Sequence, residues 1–197
     1  MGRLLLVTLI SLFLVACSDP LIPKPKGYFR IDFPERDYRV FESGLCPFSF
    51  EYPVYTTIVY DTLYFDSVVM DQCWINVEFE QFNGKLHLSY KEINEEITLM
   101  TLIEDAHSLT FVHTRKASSI DESRLVNPNG IHGLLYEVSG DAASSLQFFM
   151  TDSISHYLRG SLYFMVSPNA DSLKPVVEFV KEDVWHMINS LKWDSDI

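Results

Sequence analysis

The sequence predicts one α+β domain, a mainly antiparallel sheet covered by helices, behind an N-terminal export leader. Three observations carry this. Runs of alternating apolar and polar residues are joined by hairpin-length turns. Two stretches repeat apolar residues at three- and four-residue steps, as helices do. Two strand-like runs, FSFEY and LQFFM, are apolar on both sides and need cover on both faces of the sheet.

The leader comes first. Arg3 supplies a basic start, and Leu4 through Val15 form an apolar core interrupted only by Thr8 and Ser11. Twelve helical residues reach about 18 Å, short of the ~30 Å hydrocarbon core, which disfavours a membrane span. Leu14-Val15-Ala16-Cys17 follows with the pattern of a lipobox. Residues 1–16 are therefore expected to be a cleaved signal peptide, with Cys17 becoming the lipid-bearing N-terminus. Several acyl chains give stable membrane attachment where one does not. Residues 17–27, the lipidated Cys and SDPLIPKPKG, carry three prolines and no periodicity. They read as an extended tether of about 30 Å, and the globular domain is placed at 28–197.

YFRIDF, FSFEY and TTIVYDTLYF read as strands. In WINVEFEQFNGKLHLSYK two alternating runs flank Asn83-Gly84, the pair preferred in a tight type I′ turn. Leu86, Leu88 and Tyr90 should point one way, His87, Ser89 and Lys91 the other. A helix is expected next, with Asn94 as N-cap, Glu95 and Glu96 in its first turn, and Leu99, Leu102, Ala106, Leu109 and His113 as its apolar stripe. Residues 117–166 carry further strands, punctuated by Asn127-Pro128-Asn129-Gly130 and Gly140-Asp141. A last helix, capped by Asp171 or Ser172 with Pro175 in its first turn, buries Val176, Val180, Val184, Met187, Ile188 and Leu191. This order of elements resembles the Mog1/PsbP-type α/β/α sandwich.

Loss of Arg3 with the leader takes the formal charge from −12 to −13. Such a polyanion repels phosphate backbones, and no basic stripe opposes it, so nucleic acid is excluded as a partner. Docking on anionic headgroups is disfavoured for the same reason. With Cys17 acylated, Cys46 and Cys73 remain. In an oxidising compartment two such thiols commonly pair, which for this loop would stabilise the fold by roughly 3 to 4 kcal/mol. Two buried thiols or half of a metal site are the alternatives.

The search for chemistry finds no Gly-x-Ser-x-Gly elbow, no Ser-x-x-Lys pair and no phosphate-cradling glycine spacing around Gly130 and Gly133. Ser144, Ser145, His107 and Asp105 could be written as a triad, but a chain of this length contains such letters by chance. Glu104 and His107 share a helix face without the further ligands a metal site needs, and read as a solvated pair. His113 reads as a core histidine. No cofactor and no catalytic activity are expected.

One constellation remains. In DSISHYLRGSLYF, alternation puts Tyr157, Arg159, Ser161 and Tyr163 on one face, opposite His156, Leu158, Leu162 and Phe164. Tyr and Arg are favoured at interfaces, so Tyr157, Arg159 and Tyr163 form a candidate partner-facing patch. The alternative is a strand covered by a helix, with Arg159 paired to a carboxylate.

Long words through the chain resemble the gliding motility lipoprotein D (GldD) family of Bacteroidota. They are PKPKGYFRIDFP, CPFSFEYP, CW with NGKLHLSYK, EDAHSLTFVHTRKA, TDSISHYLRGSLYF, and PNADSLKPV with the closing SLKW. The resemblance implies a lipid-anchored cell-envelope protein required for gliding motility and the linked type IX secretion. It implies no catalytic residues, other gliding-machinery proteins including the membrane protein GldE as partners, and a place on the outer membrane facing the periplasm. A periplasmic module binding a small ligand or cell-wall fragment is the alternative.

Overall fold

The computed structural model describes residues 27, 28, 30–60, 63–64, 67–68, 73–166 and 170–194. The leader, Cys17 and the tether through residue 26 lie outside the described residues. The chain divides into two units, Met1–Asp32 and Phe33–Ile197. In the first, Arg30 Nε donates to Asp32 Oδ1 at 2.9 Å. The second unit holds the sheets and helices. None of its described helices is long and apolar enough to cross a membrane.

Twelve strands and two α-helices make up the described structure, all strand pairs being antiparallel. The strands are β1 (Tyr38–Phe41), β2 (Phe48–Pro53), β3 (Thr57–Tyr60), β4 (Leu63–Tyr64), β5 (Ser67–Val68), β6 (Trp74–Phe79), β7 (Gly84–Glu92), β8 (Ala117–Val126), β9 (His132–Gly140), β10 (Ser144–Thr151), β11 (His156–Phe164) and β12 (Lys192–Trp193). Helix α1 spans Leu99–Phe111 and α2 spans Ala170–Ser190. Seven strands form the main sheet in the order β3-β6-β7-β11-β10-β9-β8; β1, β2 and β12 form a small sheet, and β4–β5 a ribbon.

The central strands are buried on both sides, as the two-sided apolar runs require. One face of the main sheet is aliphatic. Register pairs such as Ile75–Leu88 and Leu86–Leu162 set these side chains side by side. They meet the α2 stripe, where Val176, Val180, Val184, Met187, Ile188 and Leu191 are all buried as expected. Phe48 and Phe50 of β2 close this core from the small sheet. The disulfide Cys46–Cys73, with Cα atoms 5.4 Å apart, ties the start of β2 to the start of β6 and disposes of the free-thiol and metal alternatives.

Several sequence expectations need correction. The described residues of YFRIDF form no strand; the first begins at Tyr38. The hairpin at Asn83-Gly84 is real, but its turn is not type I′. Phe79 pairs directly with Gly84, and Glu80–Phe82 form a 3₁₀ turn that tucks Phe82 into the core, leaving only Asn83 left-handed at φ 48°. Helix α1 is capped by Thr98, whose Oγ1 accepts from Thr101 N, while Asn94 Oδ1 builds the preceding turn by accepting from Glu96 N and Ile97 N. Its buried positions are Leu102, Ala106 and Thr110; Leu109 is 50% exposed, because the sheet under that side of the helix is left open. Pro175 sits in the second turn of α2, since the helix already begins at Ala170.

The NPNG turn does more than reverse the chain. Asn127, buried, donates through Nδ2 to the carbonyls of Ile188 and Leu191, and Asn129 Nδ2 also reaches Leu191 O. The orphan carbonyls at the end of α2 are thereby satisfied. The closing Trp193 then pairs with Phe48 in β12 and stacks on His156 at 5.0 Å.

Candidate functional site

The second face of the main sheet differs in kind from the first. Helix α1 covers it only over β9, β10 and β11, where Leu102 and Ala106 pack on Tyr136, Phe149 and Tyr157. Over β6, β7 and the far half of β11 the face stays open, and a groove of about 530 Å³ runs along the flank of the helix. Its floor follows from register. Trp74 and Arg159 both pair with Ser89, and Asn76 and Ser161 both pair with His87, so these side chains share the face. Asp105 and Leu109 of α1 form the opposite wall.

This floor is polar although much of it is buried. Asn76 is 5% exposed and Ser161 2%, and Gln147, the register partner of Ser161 on β10, is 1% exposed. Arg159 is half-buried, and its Nη2 donates to Gln147 Oε1 at 2.5 Å, an oxygen that also accepts from Thr110 Oγ1. Among the described residues no carboxylate lies within ion-pair distance of Arg159, and burial pushes its guanidinium pKa down. His113 stands close enough to feel that charge: burial first, then Arg159, lower its pKa and favour the neutral ring. Tyr163 lies between the two histidine rings, 5.6 Å from His87 and 6.3 Å from His113. The Oγ of Ser161 and Nε2 of Gln147, a register pair, are buried without a hydrogen-bond partner among the described residues.

The three residues of the candidate patch therefore part company. Arg159 and Tyr163 line the groove. Tyr157 does not face a partner: α1 lies over it, it is 2% exposed, and its hydroxyl donates to Leu102 O at 3.1 Å. Burial raises the Tyr157 pKa accordingly. Among the described residues, the carboxylate expected beside Arg159 in a covered strand is missing too.

The remaining letters assemble no chemistry. Ser144 Oγ is turned to Leu146 O, and His107 is exposed, its ring stacked on Phe111 at 4.1 Å. Glu104 is exposed as well. No group of three or more His, Cys, Asp or Glu among the described residues could hold a metal ion.

A buried acid that the sequence reading passed over organises the other end of the domain. Asp183 of α2 is fully buried. It accepts from Tyr38 Oη at 2.8 Å, from Tyr55 Oη, and from Arg36 Nε at 3.3 Å. Arg36 also binds Glu182 at 2.7 Å and lies over the Phe179 ring at 4.3 Å. Burial and the Asp183 carboxylate raise the Tyr38 pKa to about 12 and that of Tyr55 further. Every ligand of this carboxylate is spent inside the fold, so the cluster is a clamp between α2 and the segment around β1, not an open site.

Comparison with known proteins gives these structures context. The solution structure of cyanobacterial PsbP (CyanoP) from Synechocystis sp. PCC 6803 is similar over 89% of this chain and 99% of its own, at 12% identity and a TM-score of 0.47. No curated protein matches the chain. The family described as gliding motility lipoprotein GldD matches residues 18–193, almost the whole length. The chain therefore belongs to the gliding motility lipoprotein GldD family, as a periplasm-facing outer-membrane protein of the cell envelope that serves gliding motility and the associated type IX secretion.

Proposed function

We propose that this protein is held at the membrane through acylated Cys17 and stabilises the gliding and secretion apparatus by seating a segment of a partner protein in the groove beside α1. The carrying observation is the open half of the sheet face, where Arg159 and Tyr163 stand on a half-buried floor instead of packing under a helix. Large side chains with a polar end, set in a concavity, are the anchors on which binding energy concentrates. On α1, Leu109 borders the groove and is 50% exposed, which adds apolar surface to its wall. The partner is drawn from the gliding machinery, with GldE the first to test.

Photo-crosslinking from position 163 in intact envelopes, followed by pull-down, tests this reading. Capture of GldE or another gliding protein supports it. Arg159→Ala and Tyr163→Ala should each weaken capture by ~1 to 3 kcal/mol and impair gliding, with the melting temperature kept. Glu104→Ala and His107→Ala, on the exposed side of α1, should leave motility intact. The reverse pattern overturns the proposal.

A further inference from the structure

We propose that the floor of this groove is a binding site for a carboxylate group, with Arg159 as its anchor and Ser161 as a second donor. The inference concerns the same groove as the docking reading but does not require a protein partner.

Among the described residues the fold leaves the half-buried Arg159 without a carboxylate. The chain carries 27 acidic side chains against 15 basic ones, so a half-buried arginine could have been given a carboxylate neighbour many times over. Arg36 has two, Asp183 and Glu182. Arg159 has none among the described residues, and its side-chain hydrogen bond goes to a neutral amide oxygen of Gln147. Withdrawing a guanidinium from water without an anion is costly, and such groups are found paired or serving a ligand. Asp105 lines the same groove yet stays outside ion-pair distance.

Other donors point at the same space. The Ser161 hydroxyl, 2% exposed, lines the groove and has no hydrogen-bond partner among the described residues. It lies two residues along the same strand and face as Arg159. Buried hydroxyls are rarely left unpaired. A ligand oxygen between guanidinium and hydroxyl would satisfy both.

The chemistry of the ligand follows from the charge. With Nη2 turned to Gln147, the guanidinium keeps a fork of N–H donors for a planar, two-oxygen acceptor. His113, held toward its neutral form, adds no full charge, while Lys91, over the Trp74 ring at 4.8 Å, is a second cation of the lining and Asp105 on the wall repels excess negative charge. Two cations facing one acid leave a single net positive charge, which suits a monoanion better than a phosphate dianion. The volume, about 530 Å³, falls in the range of small-molecule and peptide-end pockets. Aromatic rings of Tyr163 and Trp74 border it and would flank the body that carries the carboxylate.

Binding to the whole protein, as its host processes it and purified in detergent, tests the site by calorimetry and by NMR of the Arg159 side-chain Nε–H. The probes are benzoate, N-acetyl-Ala-Ala with a free carboxylate, the same dipeptide as its amide, and inorganic phosphate. Benzoate or the free-acid dipeptide should bind and shift the Arg159 signal, and the amide should not. Tighter binding of the dipeptide identifies a chain end as the natural source, and tighter binding of benzoate a small organic acid. Arg159→Gln should weaken binding at least about tenfold, Arg159→Lys less, and Ser161→Ala measurably. Should Arg159→Gln fail to fold, the wild-type Nε–H signal and Ser161→Ala decide. Equal binding of acid and amide, phosphate binding as well as either carboxylate, or no carboxylate binding at all overturns the proposal. Loss of partner capture with carboxylate binding intact would sink the docking reading alone; the converse would sink this one alone.

Discussion

Replacing Asp183 by Asn removes one charge from a fully buried position at almost constant volume, and the surroundings fix what that does. Two tyrosine hydroxyls and Arg36 converge on the carboxylate. A hydrogen bond to a charged acceptor contributes ~1.5 to 3 kcal/mol, and a stranded buried donor costs ~1 to 3. The Asn oxygen can accept one tyrosine, while its NH₂ faces the other. Arg36 is not stranded, because it keeps Glu182 and its side chain is 34% exposed. Against the loss stands relief from burying a carboxylate, which is itself large. We expect a net loss of ~2 to 3 kcal/mol, or about 4 to 12 °C in Tm for a domain of this size. Asp183→Leu, which abandons both hydroxyls, should cost ~3 to 5.

Urea denaturation followed by circular dichroism measures the first effect as a lower midpoint at unchanged slope. Alkaline titration supplies an independent check. Burial and then the Asp183 carboxylate hold Tyr38 protonated up to about 12, and Tyr55 beyond it. Unfolded tyrosines ionise near pH ~10. Between the two, the unfolded chain releases protons that the folded one retains, so stability should be full below pH ~10 and decline as pH rises toward 12. In Asp183→Asn both tyrosines should titrate earlier, though still above the free value, because burial remains. An Asn variant as stable as wild type, with unchanged tyrosine titration, would refute this account of the clamp.

Other perturbations address other parts. Cys46→Ser opens a loop of sequence separation 27 and should cost roughly 3 to 4 kcal/mol, read as a lower urea midpoint than the unreduced parent. Cys17→Ser should abolish labelling by a palmitate analogue and release the protein from the membrane fraction; an unlabelled wild type would end the lipid-anchor proposal. Gly133→Ala should destabilise more than Gly160→Ala. The new methyl at 133 meets the Phe149 carbonyl oxygen at 1.8 Å, and that backbone cannot move without breaking the β9–β10 ladder, whereas at 160 it meets the Phe148 ring at 2.3 Å. Overpacking of this kind costs ~1 to 3 kcal/mol, and melting temperatures rank the two.

What could be read in the sequence was what local alternation and periodicity encode. Leu86, Leu88 and Tyr90 fall on the aliphatic face and His87, Ser89 and Lys91 on the polar one, because a strand's period of two leaves no choice. The α2 stripe was legible for the same reason. Asp183 was not, although it falls seven residues after Val176 and thus within the stripe, because a charged letter in an apolar stripe gives no local sign of what would neutralise it. Its partners Arg36, Tyr38 and Tyr55 lie 128 to 147 residues away, a distance over which no local pattern reports. Whether Tyr157 is covered by a helix or faces a partner stayed open in the sequence for a related reason. Alternation says which residues share a face, but not how far along that face a helix lies, and α1 stops covering β11 between Tyr157 and Arg159.

That boundary separates two uses of one sheet. On the aliphatic face Ile75, Leu86, Leu88, Leu158 and Leu162 are all at most 3% exposed, and no polar side chain among them asks for a partner. Directly behind them, on the same three strands, stand Asn76, His87, Arg159 and Ser161. Strand pairing is indifferent to this choice, since backbone hydrogen bonds hold both faces alike. Folding would have gained from aliphatic side chains in these positions under a longer helix, at roughly 25 cal/mol for each Å² of apolar surface buried. A floor that keeps a guanidinium without a carboxylate and a buried hydroxyl without an acceptor stabilises nothing by itself. Its polar groups acquire a purpose only when something from outside the domain supplies the missing acceptor. The search for a molecular activity in this family member therefore belongs on the open half of the sheet, while the α2 side explains why the domain stands.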